Sequence, residues 1–214
     1  IGAGPSLDHY LDTLRVWQGG KTIIAAGTVW KKLLKEGIHP DYVVIMDPYE
    51  IVFQQVEGIE DTSATLLITA QANWQVGHYY QGRKYLIPSP VPAEGVEDYW
   101  EKLGVTPWFA GGSVTVNELE FAVRMFADKV YLLGVDLSLP GGLTHASDTR
   151  YRQKVADISG LIPLEDVNGN TVYTNSILIE SKDWFELIMG ETEGIEYINM
   201  SDVGVKLKGT IPYR

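Results

Sequence analysis

Cysteine is absent from this chain of 214 residues. Its absence excludes a disulfide framework, a thiolate nucleophile and a cysteine-based zinc site. It also fits a reducing compartment, and we expect a cytoplasmic protein. Basic residues are scarce: 17 Lys and Arg stand against 28 Asp and Glu, and the net charge is −11. Phosphate groups repel such a surface, so we expect neither a nucleic acid nor an anionic membrane as a partner.

Several motifs of known chemistry are missing as well. The chain has no phosphate loop of the G-x-x-x-x-G-K-[ST] type, no G-x-S-x-G nucleophile elbow and no histidine-rich metal set. It also lacks the D-x-D pair that holds a divalent metal against a nucleotide-sugar diphosphate. We therefore expect no metal ligand. The charge of a bound phosphate then has to be met by backbone N–H groups, hydroxyls and a few cations.

The chain nevertheless has enough apolar residues for a sizeable core. Hydrophobic residues make up 45% of it, and six Trp and twelve Tyr argue against disorder. Its length favours one domain, which we place at residues 1–214. No apolar run reaches the length of a membrane-spanning helix, so we expect no membrane span.

Apolar strands alternate with helices along most of the chain. Strands are predicted at 21–26, 41–46, 64–69, 83–87 and 130–133, and helices at 28–36 and 113–127. This alternation predicts an α/β fold with a doubly wound, mainly parallel sheet of Rossmann-like type, covered on both faces. Ligands of such sheets bind at the carboxyl ends of the strands.

The last third of the chain has a different pattern. Asn168-Gly169 is the signature of a tight hairpin turn. A mixed apolar and charged helix is predicted at 176–189, and a last strand at 197–200. We expect this region to cover the edge of the sheet or to form a lid over the site.

The segment GAGPSL at residues 2–7 lies where a first strand passes into a first helix. Gly2 and Gly4 allow a tight turn and the close approach of a ligand, Pro5 sets φ for a helix start, and Ser6 can cap that helix. Free N–H groups at a helix start attract phosphate. Because Leu7 occupies the place of the third glycine of G-x-G-x-x-G, a tight turn with no ligand is an equal alternative.

A parallel sheet needs a strand before this turn, and only Ile1 remains of it. We therefore expect a fragment that lacks its first strand and any N-terminal domain.

Small and polar residues follow several of the predicted strands. They are Thr28, Asp47, the pair Gly112-Ser113 at a helix start, Asp136 and His145. Each has a structural alternative, since Asp47 before proline can start a turn, Ser113 can be an N-cap and Asp136 can anchor a loop. Because the carboxyl ends of parallel strands share one edge, together they predict a site at that edge.

Three segments that span most of the chain carry a resemblance to a known family. They are GAGPSL, AAGTVWKKLLKEGIHPDYVVIMDP and GGSVTVNELEFAVRMFADKVYLLGVDLSLPGGLTHA. These segments resemble the central domain of the Maf-type motility-associated (flagellin) glycosyltransferases. That domain is similar to the bacterial CMP-sialic-acid sialyltransferases, which have a variant of the GT-A fold, and more distantly to archaeal 6-hydroxymethylpterin pyrophosphokinases. The resemblance continues through DVNGNTVYTN and INMSDVGVKLKGT.

The resemblance implies transfer of a nonulosonic acid, such as a pseudaminic or legionaminic acid, from a CMP-sugar donor to Ser or Thr hydroxyls of flagellin or a similar acceptor. It implies no metal and no cofactor besides the donor. The nucleotide-binding residues that it implies are Gly2, Gly4, Pro5, Ser6, Thr28, Gly112, Ser113 and Asp136. Ala3 departs from the family, because sialyltransferases usually carry Asn there.

The general base is the second departure, because the sialyltransferases use a His in their lid region and this chain has no His after residue 145, where the predicted lid region lies. His145 is the candidate catalytic base, since a neutral imidazole can take a proton from an acceptor hydroxyl at pH 7. Asp47, which stands where sialyltransferases carry Asn before Pro, is the alternative catalytic residue. Either base predicts an inverting displacement at the anomeric carbon.

Two other functions remain open. One is an ATP- and Mg²⁺-dependent pyrophosphokinase, whose relatives carry a denser acidic cluster than Asp47 and Glu50 offer here. The other is a non-catalytic module that binds a nucleotide or flagellin.

Overall fold

The computed structural model describes residues 1–88, 97–108 and 113–213. Its strands are β1 (Ile24–Ala26), β2 (Tyr42–Ile45), β3 (Thr65–Thr69), β4 (Lys84–Ile87), β5 (Lys129–Leu132), β6 (Ile162–Glu165), β7 (Thr171–Thr174), β8 (Glu196–Asn199) and β9 (Ile211–Pro212). Its α-helices are α1 (Leu11–Trp17), α2 (Gly27–Lys35), α3 (Trp74–Tyr79), α4 (Glu97–Lys102), α5 (Val114–Arg124) and α6 (Ser176–Glu191). Short 3₁₀ helices occupy Pro5–His9, Glu50–Gln55 and Pro140–Gly142.

Two parallel sheets are joined by the first residues of the chain. One has the order β1-β2-β3-β4, the other β5-β8-β9, and every pairing in both is parallel. On one side, the Ala26 N–H donates to the Ile1 C=O at 3.0 Å. On the other side, the Gly2 and Gly4 N–H groups donate to Leu133 and Gly134 at 2.8 and 2.7 Å. Residues 1–4 therefore lie between β1 and β5 and join the two sheets into one layer.

Helices cover both faces of this layer. Val43 and Val44 are neighbours on β2, so their side chains point to opposite faces, and both are fully buried. Val43 packs in the cluster that contains Trp30 of α2, whereas Val44 packs in the cluster that contacts Phe121 of α5. The prediction of a doubly wound, mainly parallel sheet is confirmed.

The hairpin in the last third of the chain forms where its turn signature lies. β6 pairs with β7 in antiparallel fashion, and Gly169 in the turn adopts φ +82°. The hairpin is tied to the loops that leave β5 and β8: the Leu139 N–H donates to Tyr173 at 2.8 Å, and the Val167 N–H to Gly204 at 3.0 Å. It therefore covers this part of the carboxyl edge, while β8 and β9 widen the sheet.

Within the part of the chain that the structure describes, no helix combines the length and the apolar character needed to cross a membrane.

Candidate functional site

The carboxyl edge of the sheet brings together segments that are far apart in sequence. Since the strands are parallel, Thr28 after β1, Asp47 after β2 and Gly134 after β5 lie at this edge, together with the loop of residues 2–6. Neighbouring strands are about 4.8 Å apart, so the line of β2, which Asp47 follows, and the segment of residues 1–4, two positions apart in the sheet, are separated by roughly 10 Å. That spacing suits a ligand that contacts both.

Helix α5 begins at the same edge. A Cβ on Gly2 would lie 3.1 Å from Cγ2 of Thr115, in the first turn of α5. Oγ of Ser113 is 2.6 Å from Oγ1 of Thr115, so two hydroxyls lie at the start of the helix. Ser113 occupies the N-cap position but makes no side-chain cap bond. Gly112, its predicted partner in donor binding, lies outside the described residues.

Close packing, rather than a left-handed backbone conformation, explains why residues 2 and 4 of the first loop are glycines. Gly4 has φ −67°, which any residue can adopt. A Cβ on Gly2 would lie 2.5 Å from the Gly134 oxygen, and a Cβ on Gly4 would lie 2.5 Å from Oδ2 of Asp136. The close approach that requires glycine is therefore to residues 134–136 of the same chain.

The helix start predicted at this loop is a 3₁₀ helix of five residues, and its N-cap is Gly4. The prediction that Ser6 caps a helix is therefore wrong: Ser6 lies inside the helix, and its hydroxyl donates to Asp136. The N–H groups of Gly2, Gly4, Ser6 and Leu7 all donate to acceptors within the protein. A phosphate at this loop has to use other donors.

Asp136 lies on the buried side of the loop of residues 2–6. Its side chain is buried, with 1% of the residue exposed, and its oxygens accept hydrogen bonds from Ser6 and Ser201. Burial raises the pKa of this carboxyl, and the bonds from the two serines oppose the rise.

The first turn of helix α2 provides backbone N–H groups as hydrogen-bond donors at the carboxyl edge of the sheet. The helix runs for nine residues, and its N-cap Ala26 makes no side-chain cap bond, so the first N–H groups have no capping side chain. Thr28 lies in this first turn, and its Oγ1 accepts a hydrogen bond from Nε2 of Gln55 at 3.3 Å. Gln55 was not predicted, because nothing in its local sequence relates it to Thr28.

Asp47 lies beside two exposed aromatic residues. Although its side chain reaches solvent, the surrounding protein partly desolvates it and raises its pKa. Its backbone oxygen accepts the Asn73 N–H at 3.0 Å, which brings the start of α3 to the end of β2. Tyr49 is 69% exposed and Trp74 is 74% exposed. The sequence signal that could have identified both is an aromatic residue within five positions of a strand end.

His145 lies in the loop after β5, next to the first loop. The N–H of Ala146 donates to the Ala3 oxygen at 2.8 Å. Among the described residues, Nδ1 of His145 is buried and has no hydrogen-bond partner. Burial lowers the pKa of this imidazole, and the nearby Tyr151 backbone opposes part of the decrease. The ring is therefore neutral at neutral pH and can accept a proton.

A buried lysine joins the His145 loop to helix α2 and to the 3₁₀ helix Pro5–His9. Nζ of Lys32, whose side chain is 2% exposed, lies 2.9 Å from Oδ1 of Asp8 and 2.9 Å from Oγ of Ser147. The Ser147 N–H also donates to Asp8 at 2.8 Å. Burial alone would raise the pKa of Asp8, but the hydrogen bonds from Lys32 and Ser147 hold it below its ordinary value.

We expect Lys32→Met to lower the free energy of unfolding by about 1–3 kcal/mol, because it leaves buried polar groups without their cation. The pKa of Asp8 is lower in the folded state than in the unfolded state. The stabilisation by this carboxylate is therefore fully present above the unfolded-state pKa and is lost as the pH falls through the folded-state pKa. Urea unfolding of wild type and Lys32→Met at neutral pH and at about pH 3 measures the loss of stability and its pH dependence. We expect the difference in unfolding free energy between the two proteins to be smaller at the acidic pH. Lys35→Met is the control, because Lys35 pairs with Asp148 in solvent. Equal destabilisation by the two substitutions would contradict this assignment.

Comparisons with known proteins relate the chain to one family and to one solved structure. The family described as 6-hydroxymethylpterin diphosphokinase MptE-like matches residues 1–142. Among solved structures, the chain is similar to the Maf glycosyltransferase from Magnetospirillum magneticum AMB-1, with a TM-score of 0.77 and 22% sequence identity. The match covers 99% of this chain and 32% of that one, so the chain spans about a third of its length. No curated protein matches the chain by sequence. The resemblance seen in the sequence is confirmed, and the structural likeness shows a shared fold.

Proposed function

The chain belongs to the 6-hydroxymethylpterin diphosphokinase MptE-like family, and from this premise we propose that it forms a glycosyltransferase domain. The proposed reaction moves a nonulosonic sugar from a CMP-activated donor to a Ser or Thr hydroxyl of flagellin or a similar acceptor, without a metal or a further cofactor. The observation that carries the proposal is the likeness to a Maf glycosyltransferase fold over 99% of the chain. The family match, in contrast, ends at residue 142.

The proposed donor position is at the carboxyl edge between α2 and α5. The uncapped N–H groups at the start of α2 and the hydroxyls of Thr28 and Ser113 supply uncharged donors to the CMP phosphate. The exposed ring of Trp74, near Asp47, offers a face against which a planar base or a sugar can pack.

The proposed chemistry is an inverting displacement. The base, His145 or Asp47, takes the proton of the acceptor hydroxyl as its oxygen bonds to the anomeric carbon. The bond between that carbon and the phosphate oxygen breaks on the opposite side, and its electron pair leaves with CMP. Donors near the phosphate stabilise the charge that develops on it.

The second candidate is a diphosphokinase that uses ATP and Mg²⁺. The observation in its favour is the family description itself, since the matched residues 1–142 include Asp47. A non-catalytic module that binds a nucleotide or flagellin is a third candidate, which differs from both by showing no turnover.

A panel of nucleotides separates these functions. We expect CMP to raise the melting temperature with or without Mg²⁺, because a ligand at a hundredfold excess over its Kd stabilises the folded state by about 2.7 kcal/mol. Differential scanning fluorimetry with CMP, CDP, UDP, ADP and ATP, each with and without Mg²⁺, measures this. A shift seen only with ATP and Mg²⁺ supports the diphosphokinase. Binding of CMP without its release from a CMP-nonulosonate donor supports the module.

A further inference from the structure

We propose that Asp136 is a positioning residue, whose buried carboxylate fixes the loop of residues 2–6 beside the proposed binding position of the CMP-sugar. This inference rests on the proposed function for its ligand, but the contacts that carry it are independent of any ligand. In this proposal Asp136 does not contact the nucleotide itself, as the resemblance implied. It acts through its hydrogen bonds to Ser6.

The carboxylate joins two segments that are distant in sequence. Oδ2 accepts the Ser6 N–H at 2.9 Å, and Oδ1 accepts the Ser6 hydroxyl. Oδ1 also accepts the Ser201 hydroxyl, at 2.6 Å, from the loop that follows β8. Ser6 is fully buried and Ser201 nearly so, so water does not replace these donors. Three donors from two loops therefore converge on one side chain.

Two glycines allow the chain to approach Asp136 closely, one at its side chain and the other at its backbone. A Cβ on Gly4 would lie 2.5 Å from Oδ2 of Asp136. A Cβ on Gly204 would lie 2.6 Å from Cα of Asp136 and 2.5 Å from Oγ of Ser201. The Gly204 N–H in turn donates to that Oγ at 2.8 Å. The first loop therefore packs directly on the carboxylate, and the loop after β8 packs on the backbone of Asp136 and reaches the carboxylate through Ser201.

The consequence for the site follows from the position of the loop. Gly2 and Gly4 of this loop contact the residues that directly follow β5, and Ala3 contacts the His145 loop through Ala146. A loop released from Asp136 loses its fixed position relative to α5 and to His145. Donor binding then has to include the ordering of this loop, which weakens it.

The substitution Asp136→Asn tests the proposal, because an amide of the same shape cannot accept from all three donors at once. We expect exchange of the Ser6 amide hydrogen to accelerate at least tenfold, and the Kd for CMP and the KM for the donor to rise about tenfold with kcat little changed. Ser138→Ala is the matched control. Ser138 is equally buried and donates to the backbone oxygen of Asp136 at 3.0 Å, but it does not touch the carboxylate. It is expected to leave both quantities near wild type.

Each outcome decides the proposal. If wild type binds CMP and Asp136→Asn binds it with equal affinity, Asp136 does not position the donor site. If wild type binds no CMP, the proposed function fails. An unchanged rate of Ser6 amide hydrogen exchange in Asp136→Asn would then show that Asp136 does not fix the loop either. If Asp136→Asn does not fold, Ser201→Ala replaces it. That substitution removes one of the three donors and is expected to change the same two quantities in the same direction by a smaller factor.

Discussion

Gly4→Val is expected to destabilise the fold by about 3 kcal/mol or more, because it places a branched side chain where the packed loop has no room for one. The first carbon of the new side chain would lie 2.5 Å from Oδ2 of Asp136 and 2.7 Å from the Gly134 oxygen. Neither atom can move cheaply, because Asp136 holds Ser6 and Ser201, and Gly134 accepts the Gly4 N–H. Urea unfolding followed by circular dichroism measures the loss.

Gly160→Val is the control for this substitution. A Cβ on Gly160 meets no atom within 4 Å, so the same change of residue is expected to cost little there. Titration calorimetry of CMP on the folded fraction of Gly4→Val separates loss of stability from loss of affinity. A Gly4→Val protein as stable as wild type would show that the loop does not pack on Asp136 as described.

The second large effect concerns turnover. We expect His145→Ala to lower the rate of CMP release from a CMP-nonulosonate donor in the presence of acceptor by ~10²–10⁴-fold, the usual cost of a lost general base. The Kd for CMP is expected to stay near wild type, because the base meets the acceptor rather than the nucleotide. Steady-state rates and calorimetry on the same preparation test the two statements together.

The pH profile gives an independent test of His145. Because burial lowers the pKa of its ring, the base is neutral at neutral pH and becomes protonated only below the ordinary histidine value of about 6.5. The wild-type rate is therefore expected to fall on that acidic side, and His145→Ala is expected to lose this part of the profile. An unchanged profile with full activity would remove His145 from the catalytic residues.

The substitution Asp47→Ala, measured beside His145→Ala, shows which role Asp47 has. Weakened CMP binding would make Asp47 a donor ligand, whereas intact binding with lost turnover would make it the better base. Since its side chain reaches solvent, little loss of stability is expected. Full activity in both His145→Ala and Asp47→Ala would leave the site without a base and would favour the binding module.

The local sequence determined the order and type of most elements. Strands such as Tyr42–Ile45 are apolar on both faces because helices cover both sides, and that pattern is visible along the chain itself. Helix α2 is amphipathic, and the Asn168-Gly169 turn needs a residue at positive φ, which glycine supplies. These signals act over a few residues, so they can be interpreted without the fold. A helix was predicted after GAGPSL and α1 follows that segment, but the six-residue helices α3 and α4 were not predicted, since they are too short to show a period.

The packing of distant segments was decided only by the tertiary structure. Ser6 looked like a helix cap, yet its hydrogen-bond partner is Asp136, 130 residues further along the chain. Gly2 and Gly4 looked like a nucleotide turn, yet their nearest neighbours are Gly134 and Asp136. A buried polar group has to find a partner wherever the fold brings one. Because that partner is set by long-range packing rather than by local periodicity, the sequence alone could identify Asp136 as a candidate but not what it holds.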